Sequence, residues 1–212
     1  MDHAKIDNAY DRWAASYDAD FNRTRDLDGA VMRDTFAGQR FDAILELGCG
    51  TGKNTLLLES CCTRLVGVDF SDQMLALARE KVRSPHVSFV HGDITKPLAA
   101  PDASFELVTC NLVLEHVEHL GPIFAEACRV LRPGGTLFVS ELHPFRQYGG
   151  TRANFSRDGA SIQIGAFIHH VSDYAAAALA AGLRIEALGE RWHADDGPTQ
   201  PRLLTLLCRR PH

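Results

Sequence analysis

The sequence has no pair of cysteines at C-x-x-C spacing, although six cysteines stand at 49, 61, 62, 110, 128 and 208. A structural zinc site, which draws its thiolates from such pairs, is therefore not expected. Cys110 and Cys208 follow apolar runs, so the thiols read as buried and free in a reducing compartment. No apolar run reaches the ~18–20 residues of a membrane span. The start, Met1-Asp2-His3-Ala4-Lys5, lacks the basic-then-apolar layout of a signal peptide. The expected setting is cytoplasmic, without membrane contact. A basic stripe is also missing. Lys and Arg number 22 against 27 Asp and Glu, a net charge of −5, which argues against a nucleic-acid partner. Internal repeats and low-complexity tracts are absent.

What is present is a 212-residue chain of ordinary composition, 45% hydrophobic and 23% charged, long enough for one domain with its own core. Short apolar runs alternate with helical patterns. Ile44 to Leu47, Leu65 to Val68, Val87 to Val90, Phe105 to Cys110 and Thr136 to Ser140 are short, β-branched or apolar, and bounded by turn residues, which predicts five strands. Between them, Ser71 is placed to cap a helix over 72–83, and Ile123, Phe124, Ala127 and Val130 repeat at helical spacing before the turn Arg132-Pro133-Gly134-Gly135. This alternation predicts an α/β fold with right-handed crossovers and a mostly parallel sheet. Later, Ser172 is placed to cap a helix over 173–181. Two further strands follow, over 183–192 and 202–209, joined by a loop too short for a helical crossover. That pair should be antiparallel, giving seven strands in all.

The most informative stretch is Leu45-Glu46-Leu47-Gly48-Cys49-Gly50-Thr51-Gly52, three glycines between a strand and a helix. Glycine permits positive φ and lets a ligand approach a backbone without a Cβ. In an open parallel sheet, ligands bind beyond the carboxyl ends of the strands. The dinucleotide fingerprint would need glycine at 53, where Lys53 stands, so an NAD-dependent oxidoreductase is disfavoured. The P-loop pattern fails in both spacing and its Ser/Thr. Glu46 would repel a pyrophosphate, so the site reads as shaped for a nucleoside without phosphates. Asp69 ends the second strand, where a carboxylate can accept from both ribose hydroxyls. Asp93 ends the third, placed to meet an adenine edge with Ile94 against the ring.

These features together, with Leu131-Arg132-Pro133-Gly134-Gly135 before a strand, resemble the class I S-adenosylmethionine-dependent methyltransferases over about residues 10–141. The resemblance implies a Rossmann-like seven-stranded sheet with helices on both faces and an antiparallel last strand. It also implies S-adenosyl-L-methionine as cofactor and methyl transfer as the activity. Gly48 and Gly50 would pass the methionine part, and Glu46 would order the loop or meet the amino group. Asp69 would hold the ribose, Phe70, Asp93 and Ile94 the adenine. Asn111 would lie near the sulfonium. Tyr10, Trp13 and Tyr17, on one helical face, would belong to an N-terminal helix covering the cofactor. Cys49, Gly52, Met74, Leu112 and His116 complete the expected cofactor-binding set. The implied division is an N-terminal helical cap over 1–38, a cofactor-binding core over 39–141, an acceptor lid over 142–171, and a C-terminal helix and strand pair over 172–212.

Methyl transfer from a sulfonium is an in-line displacement governed by positioning. A base is required only where the nucleophile arrives protonated. His143, His169 and His170 flank the insertion and are the candidate catalytic residues on the substrate side. If residues 169 and 170 are extended, their rings face opposite ways. The spacing of His116 and His119 suggests two imidazoles on one helical face, but a third ligand is lacking and no metal is expected. Within the insertion, Phe145, Tyr148, Phe155 and Phe167 could wall an apolar acceptor, and Arg146, Arg152 and Arg157 could meet an anionic one. No Asn-Pro-Pro-Tyr or Asp-Pro-Pro-Tyr follows the fourth strand, which disfavours nucleic-acid bases and glutamine amides in this family. The expected partner is a small-molecule acceptor, of specialised-metabolite type among the options, and the expected assembly a monomer or homodimer. A cofactor-binding protein of the same fold without methyl transfer is the alternative.

Overall fold

The computed structural model describes Trp13, Tyr17, Asp18 and residues 20–212, apart from 152, 153, 158, 159 and 164. For 154–157 and 160–163 it describes the backbone. The elements are α1 (Arg23–Phe36), β1 (Phe41–Leu47), α2 (Thr55–Leu58), β2 (Cys62–Asp69), α3 (Asp72–Lys81), β3 (Val87–His91), β4 (Phe105–Asn111), α4 (Leu120–Val130), β5 (Leu131–Leu142), α5 (Pro144–Tyr148), β6 (Asn154–Arg157), β7 (Ala160–Gln163), α6 (Val171–Ala180), β8 (Arg184–Arg191) and β9 (Leu203–Arg209).

Seven strands form one sheet in the order β3-β2-β1-β4-β5-β9-β8, with β6 and β7 pairing separately as a hairpin. Strands β1 to β5 are mutually parallel, and β9 runs antiparallel to both its neighbours. Alternation within each strand sends side chains to opposite faces. Leu45 and Leu47 join a core with Ile123, Phe124 and Tyr174 of α4 and α6. Ile44 joins Val31, Met32 and Phe36 of α1 on the other side. Both faces of the central strands are therefore buried, which is why Ala43–Leu45 of β1 and Leu107–Val108 of β4 are apolar.

The chain moves outward from β1 to β3 and returns to β4 on the other side of β1. The carboxyl ends of β1 and β4 thus flank the point where strand order reverses, which is where such sheets hold ligands.

Local differences from the sequence reading have physical causes. The Pro133-Gly134-Gly135 turn lies within β5 as an insertion. Phe105 pairs with Leu131 but Leu107 pairs with Thr136, and Gly134 takes φ +77°. The helix α3 ends at Lys81, two residues early, with its cap at Val82 in extended backbone. The helix α6 starts at Val171, not after Ser172, because the His170 N–H donates to Asp173 Oδ2 at 2.7 Å. All six cysteines are free, with Cys49, Cys110 and Cys208 buried. Among the described residues no helix is long and apolar enough to cross a membrane.

Candidate functional site

The residues after β1 turn through three left-handed glycines, Gly48, Gly50 and Gly52. Gly48 has φ +71°, and a Cβ there would sit 2.8 Å from Val113 Cγ2, so no side chain fits. The loop is pinned by Asp69 at the end of β2. Its Oδ2 accepts from the Gly50 N–H at 2.8 Å and its Oδ1 from the Ser71 N–H at 3.0 Å. Ser71 in turn caps α3 by accepting from the Met74 N–H. One buried carboxylate therefore sets both the loop and the helix beside it.

These elements enclose a cavity of about 70 Å³. Its lining comes from four sources. The loop and β1 supply Glu46, Gly48, Cys49, Gly50, Thr51, Lys53 and Asn54; β2 and α3 supply Asp69, Phe70 and Met74. The end of β4 and the turn after it supply Asn111, Leu112, Val113 and His116. Tyr17 and, from α1, Arg25 and Asp28 complete it. Leu112 takes φ +54°, a left-handed conformation disfavoured for a branched side chain. Such backbone persists where surrounding structure holds it, commonly beside ligands. Here the Leu112 N–H is held by the Ser140 carbonyl at 2.8 Å.

Three carboxylates converge on this cavity. Glu46 is buried, accepts from the Thr55 hydroxyl at 2.5 Å, and is pushed by burial up to about 8. Asp28 is also raised by burial; its two oxygens accept from the Asn54 and Asn111 amides, each at 2.8 Å. Two cations line the same space, but both are engaged. Lys53 Nζ pairs with Asp26 at 3.0 Å. The Arg25 guanidinium lies 4.1 Å over the Tyr17 ring and donates to the carbonyls of Tyr17 and Asp20. Tyr17 is thereby seated over the cavity, with the edge of Trp13 4.6 Å away. A second tie holds this roof: Asp18 accepts from the Thr51 hydroxyl at 2.8 Å and from Lys81 at 2.7 Å.

The expected cofactor set is thus brought together in large part. Tyr17, Glu46, Gly48, Cys49, Gly50, Asp69, Phe70, Met74, Asn111, Leu112 and His116 all line the cavity. Tyr10 lies outside the described residues. Trp13 is buried behind Tyr17 and donates to Asp20 at 2.8 Å. Gly52 packs on Ala78 rather than on the cavity. Asp93 and Ile94 are absent from the lining. Asp93 Oδ1 accepts from the N–H and hydroxyl of Thr95, closing its own turn, and Ile94 is buried in the core.

His143 and His169 are not in the cavity lining, because the fold uses both internally. His143 is buried and caps α5, its Nδ1 accepting from the Phe145 N–H at 3.1 Å. Its Nε2 lies 3.0 Å from Glu190 Oε1, off the direction of a hydrogen bond. Burial lowers its pKa despite that carboxylate. His169 Nε2 donates to the Val117 carbonyl at 2.7 Å, deep under α6. His170 is exposed and meets the Tyr148 hydroxyl at 2.7 Å. His116 and His119 do not share a helix: 114–116 is a single tight turn and α4 begins at Leu120. Of the insertion's arginines, Arg146 turns inward onto Asp196 at 2.9 Å. The side chains of Arg152, Phe155 and Arg157 lie outside those described.

Sequence reasoning missed Arg25, Asp28, Thr51, Lys53, Asn54 and Val113. A signal existed for two of them. Arg25 and Asp28 lie on the same helical face as Met32 and Phe36, so charges sit where core residues belong.

A protein-family profile described as "Methyltransferase domain" matches residues 45–139, the span from the glycine loop through β5. An uncharacterized methyltransferase of Emericella nidulans is 28% identical over 250 residues, covering 99% of this chain and 86% of that protein. The profile and this relative liken the chain to the methyltransferases, and the fold and the glycine loop agree with the class I S-adenosylmethionine-dependent group that it resembles. A trans-aconitate 2-methyltransferase of Acidovorax is 43% identical over 100 residues, covering 45% of this chain and 36% of that one. The chain spans about half or less of the length of several other curated relatives it matches. Among solved structures, the DhpI–SAH complex shares the fold at a TM-score of 0.74, with 22% identity, covering 100% of this chain and 99% of that one. S-adenosylmethionine is the cofactor that this likeness implies. The residues fit it: a glycine turn that passes Val113 with no room for a side chain at Gly48, and buried carboxylates facing a cavity whose Lys53 pairs with Asp26 and whose Arg25 donates to two carbonyls.

Proposed function

We propose that the chain is an S-adenosylmethionine-dependent methyltransferase acting on a small-molecule acceptor, and that the segment 142–171 forms the acceptor side of the site. The observation that carries this reading is the junction at His116. Its ring lines the cofactor cavity, while its Nδ1 lies 3.0 Å from the Gly165 carbonyl of the insertion, so cavity and insertion share one wall. The Phe167 N–H also bonds the Glu115 carbonyl at 2.7 Å, fastening the insertion to the same turn. Relatives named for what they act on include a trans-aconitate and a ubiquinone-pathway methyltransferase, which supports a small acceptor.

In this reading Asp69 and Phe70 hold the nucleoside end of the cofactor, and Glu46, Gly48 and Gly50 its amino-acid tail. The cofactor, when bound, would supply a methyl group on a positively charged sulfur for uptake by an acceptor's lone pair. The chain's task is alignment and exclusion of water. A carbonyl oxygen can only accept, so the Gly165 contact puts a His116 proton on Nδ1, while Nε2 lies 3.9 Å from Glu115 Oε1. Its place where cavity and insertion meet makes His116 the residue proposed to orient the acceptor. The segment 1–38 serves as the cap, the assembly is a monomer or homodimer, and the setting is cytoplasmic.

The test is incubation with methyl-labelled cofactor and a panel of small carboxylic acids, phenols and amines. Label should pass to a low-mass product and fall in His116→Ala by more than any loss of cofactor affinity titrated in the same variant. Label found only on protein or nucleic acid, or on nothing despite tight cofactor binding, overturns the proposal.

A further inference from the structure

We infer that Arg25 is the anion anchor of the cavity. Its guanidinium takes the carboxylate of the cofactor's amino-acid tail and, through the two carbonyls it already holds, fastens the covering segment at Tyr17 and Asp20 onto the ligand. The inference rests on the methyltransferase reading and deepens it.

Arg25 is buried and lines the cavity. A buried cation is costly unless an opposite charge answers it. Among the described residues Arg25 makes no ion pair. Its guanidinium donates to the carbonyls of Tyr17 and Asp20 and lies over the Tyr17 ring, all neutral groups. Its Nε–H is buried without a partner. The acids around the cavity bond other groups: Asp28 two amides, Glu46 the Thr55 hydroxyl, and Asp69 the N–H groups of Gly50 and Ser71. Lys53, the other cation of the lining, has Asp26. Arg25 is the lining cation that still calls for a carboxylate.

The chemistry of the ligand supplies it. S-adenosylmethionine carries no phosphate, and its one anionic group is the carboxylate of the tail. A guanidinium offers paired N–H groups that match the two oxygens of a carboxylate. Position agrees. Arg25 stands between two ties to the glycine loop: Asp18, ahead of it, accepts from the Thr51 hydroxyl, and Asp26, after it, pairs with Lys53. That loop is the one given to the amino-acid tail. The guanidinium also carries the roof through Tyr17 and Asp20. A carboxylate that takes its unused donors therefore holds the roof in the same grip.

The experiment titrates S-adenosylhomocysteine and its decarboxylated analogue by calorimetry into wild type and Arg25→Gln. The two ligands differ only in the carboxylate. Wild type should bind the first at least about tenfold tighter, the worth of a hydrogen bond between charged groups. In Arg25→Gln the ratio should fall to near one, whatever affinity both ligands lose with the roof. A ratio that survives the substitution overturns the inference. So does a wild-type ratio near one, which decides the matter even if the variant fails to fold. Hydrogen exchange over 17–25 in wild type, at equal saturation, should be slowed more by the ligand that has the carboxylate, and equal slowing overturns the inference. A carboxylate could also arrive on an acceptor. A dicarboxylic acid that binds wild type without either nucleoside, and does not bind Arg25→Gln, assigns the anchor to the acceptor and overturns the inference as well. Wild type that binds neither nucleoside sinks the methyltransferase reading itself and this inference with it.

Discussion

Replacing Glu46 by Gln removes a charge from beneath the glycine loop while leaving its shape. Burial pushes this carboxyl up from 4.5 to about 8; the Thr55 hydroxyl opposes the rise, and Asp28 and Asp69 add to it. The folded protein therefore holds a proton that the unfolded chain gives up. Stability from this group is complete below about 4.5 and is lost as pH rises through about 8. At about 1.36 kcal/mol per pKa unit the whole effect is about 5 kcal/mol, of which about 4 kcal/mol falls between about pH 5 and about pH 9. Asp28 and Glu141 are shifted in the same direction, and Asp196 in the opposite one, so the raw pH profile mixes several groups. The difference between wild type and Glu46→Gln isolates the one that matters. Urea unfolding across that range, without cofactor, should show the two proteins alike in acid and the variant more stable by about 4 kcal/mol at the alkaline end. A difference that stays flat with pH refutes the reasoning. Cofactor titrations add a second reading: in wild type the affinity should rise with pH toward about 8 as Glu46 ionises, and in the variant it should not.

Other substitutions probe the framework around the cavity. Asp69→Ala leaves the N–H groups of Gly50 and Ser71 without their carboxylate, at about 1–3 kcal/mol each. Both thermal stability and cofactor affinity should drop, and an unchanged affinity would contradict the role given to Asp69. Gly48→Ala meets Val113 at 2.8 Å in a left-handed backbone and should cost about 1–3 kcal/mol while blocking the cofactor. Retained binding by titration would count against it. His169→Phe removes the bond to the Val117 carbonyl and should lower the melting temperature, yet leave turnover per folded molecule intact. A loss of turnover at full folding would return His169 to the candidate bases.

Much of this architecture is written locally. The strands β1, β2 and β4 announce themselves because parallel strands buried on both faces must be short and apolar, and the glycine loop because only glycine accepts its backbone. The position of Asp69 follows from the end of its strand. What could not be read is what depends on distant partners. His143 and His169 looked like chemistry because they flank an insertion, but Glu190 and Val117 lie far along the chain and absorb them into the scaffold. Asp93 looked like a ligand residue until its own Thr95 claimed it. Asp28 failed in the other direction. An acid in a helix ordinarily faces water, and only the packing of α1 over β1 and β4 turns it inward.

The tie of Asp18 to Thr51 and Lys81 makes the covering segment and the glycine loop move as a unit. A cofactor molecule cannot pass beneath Tyr17 without parting these contacts together with those of Arg25.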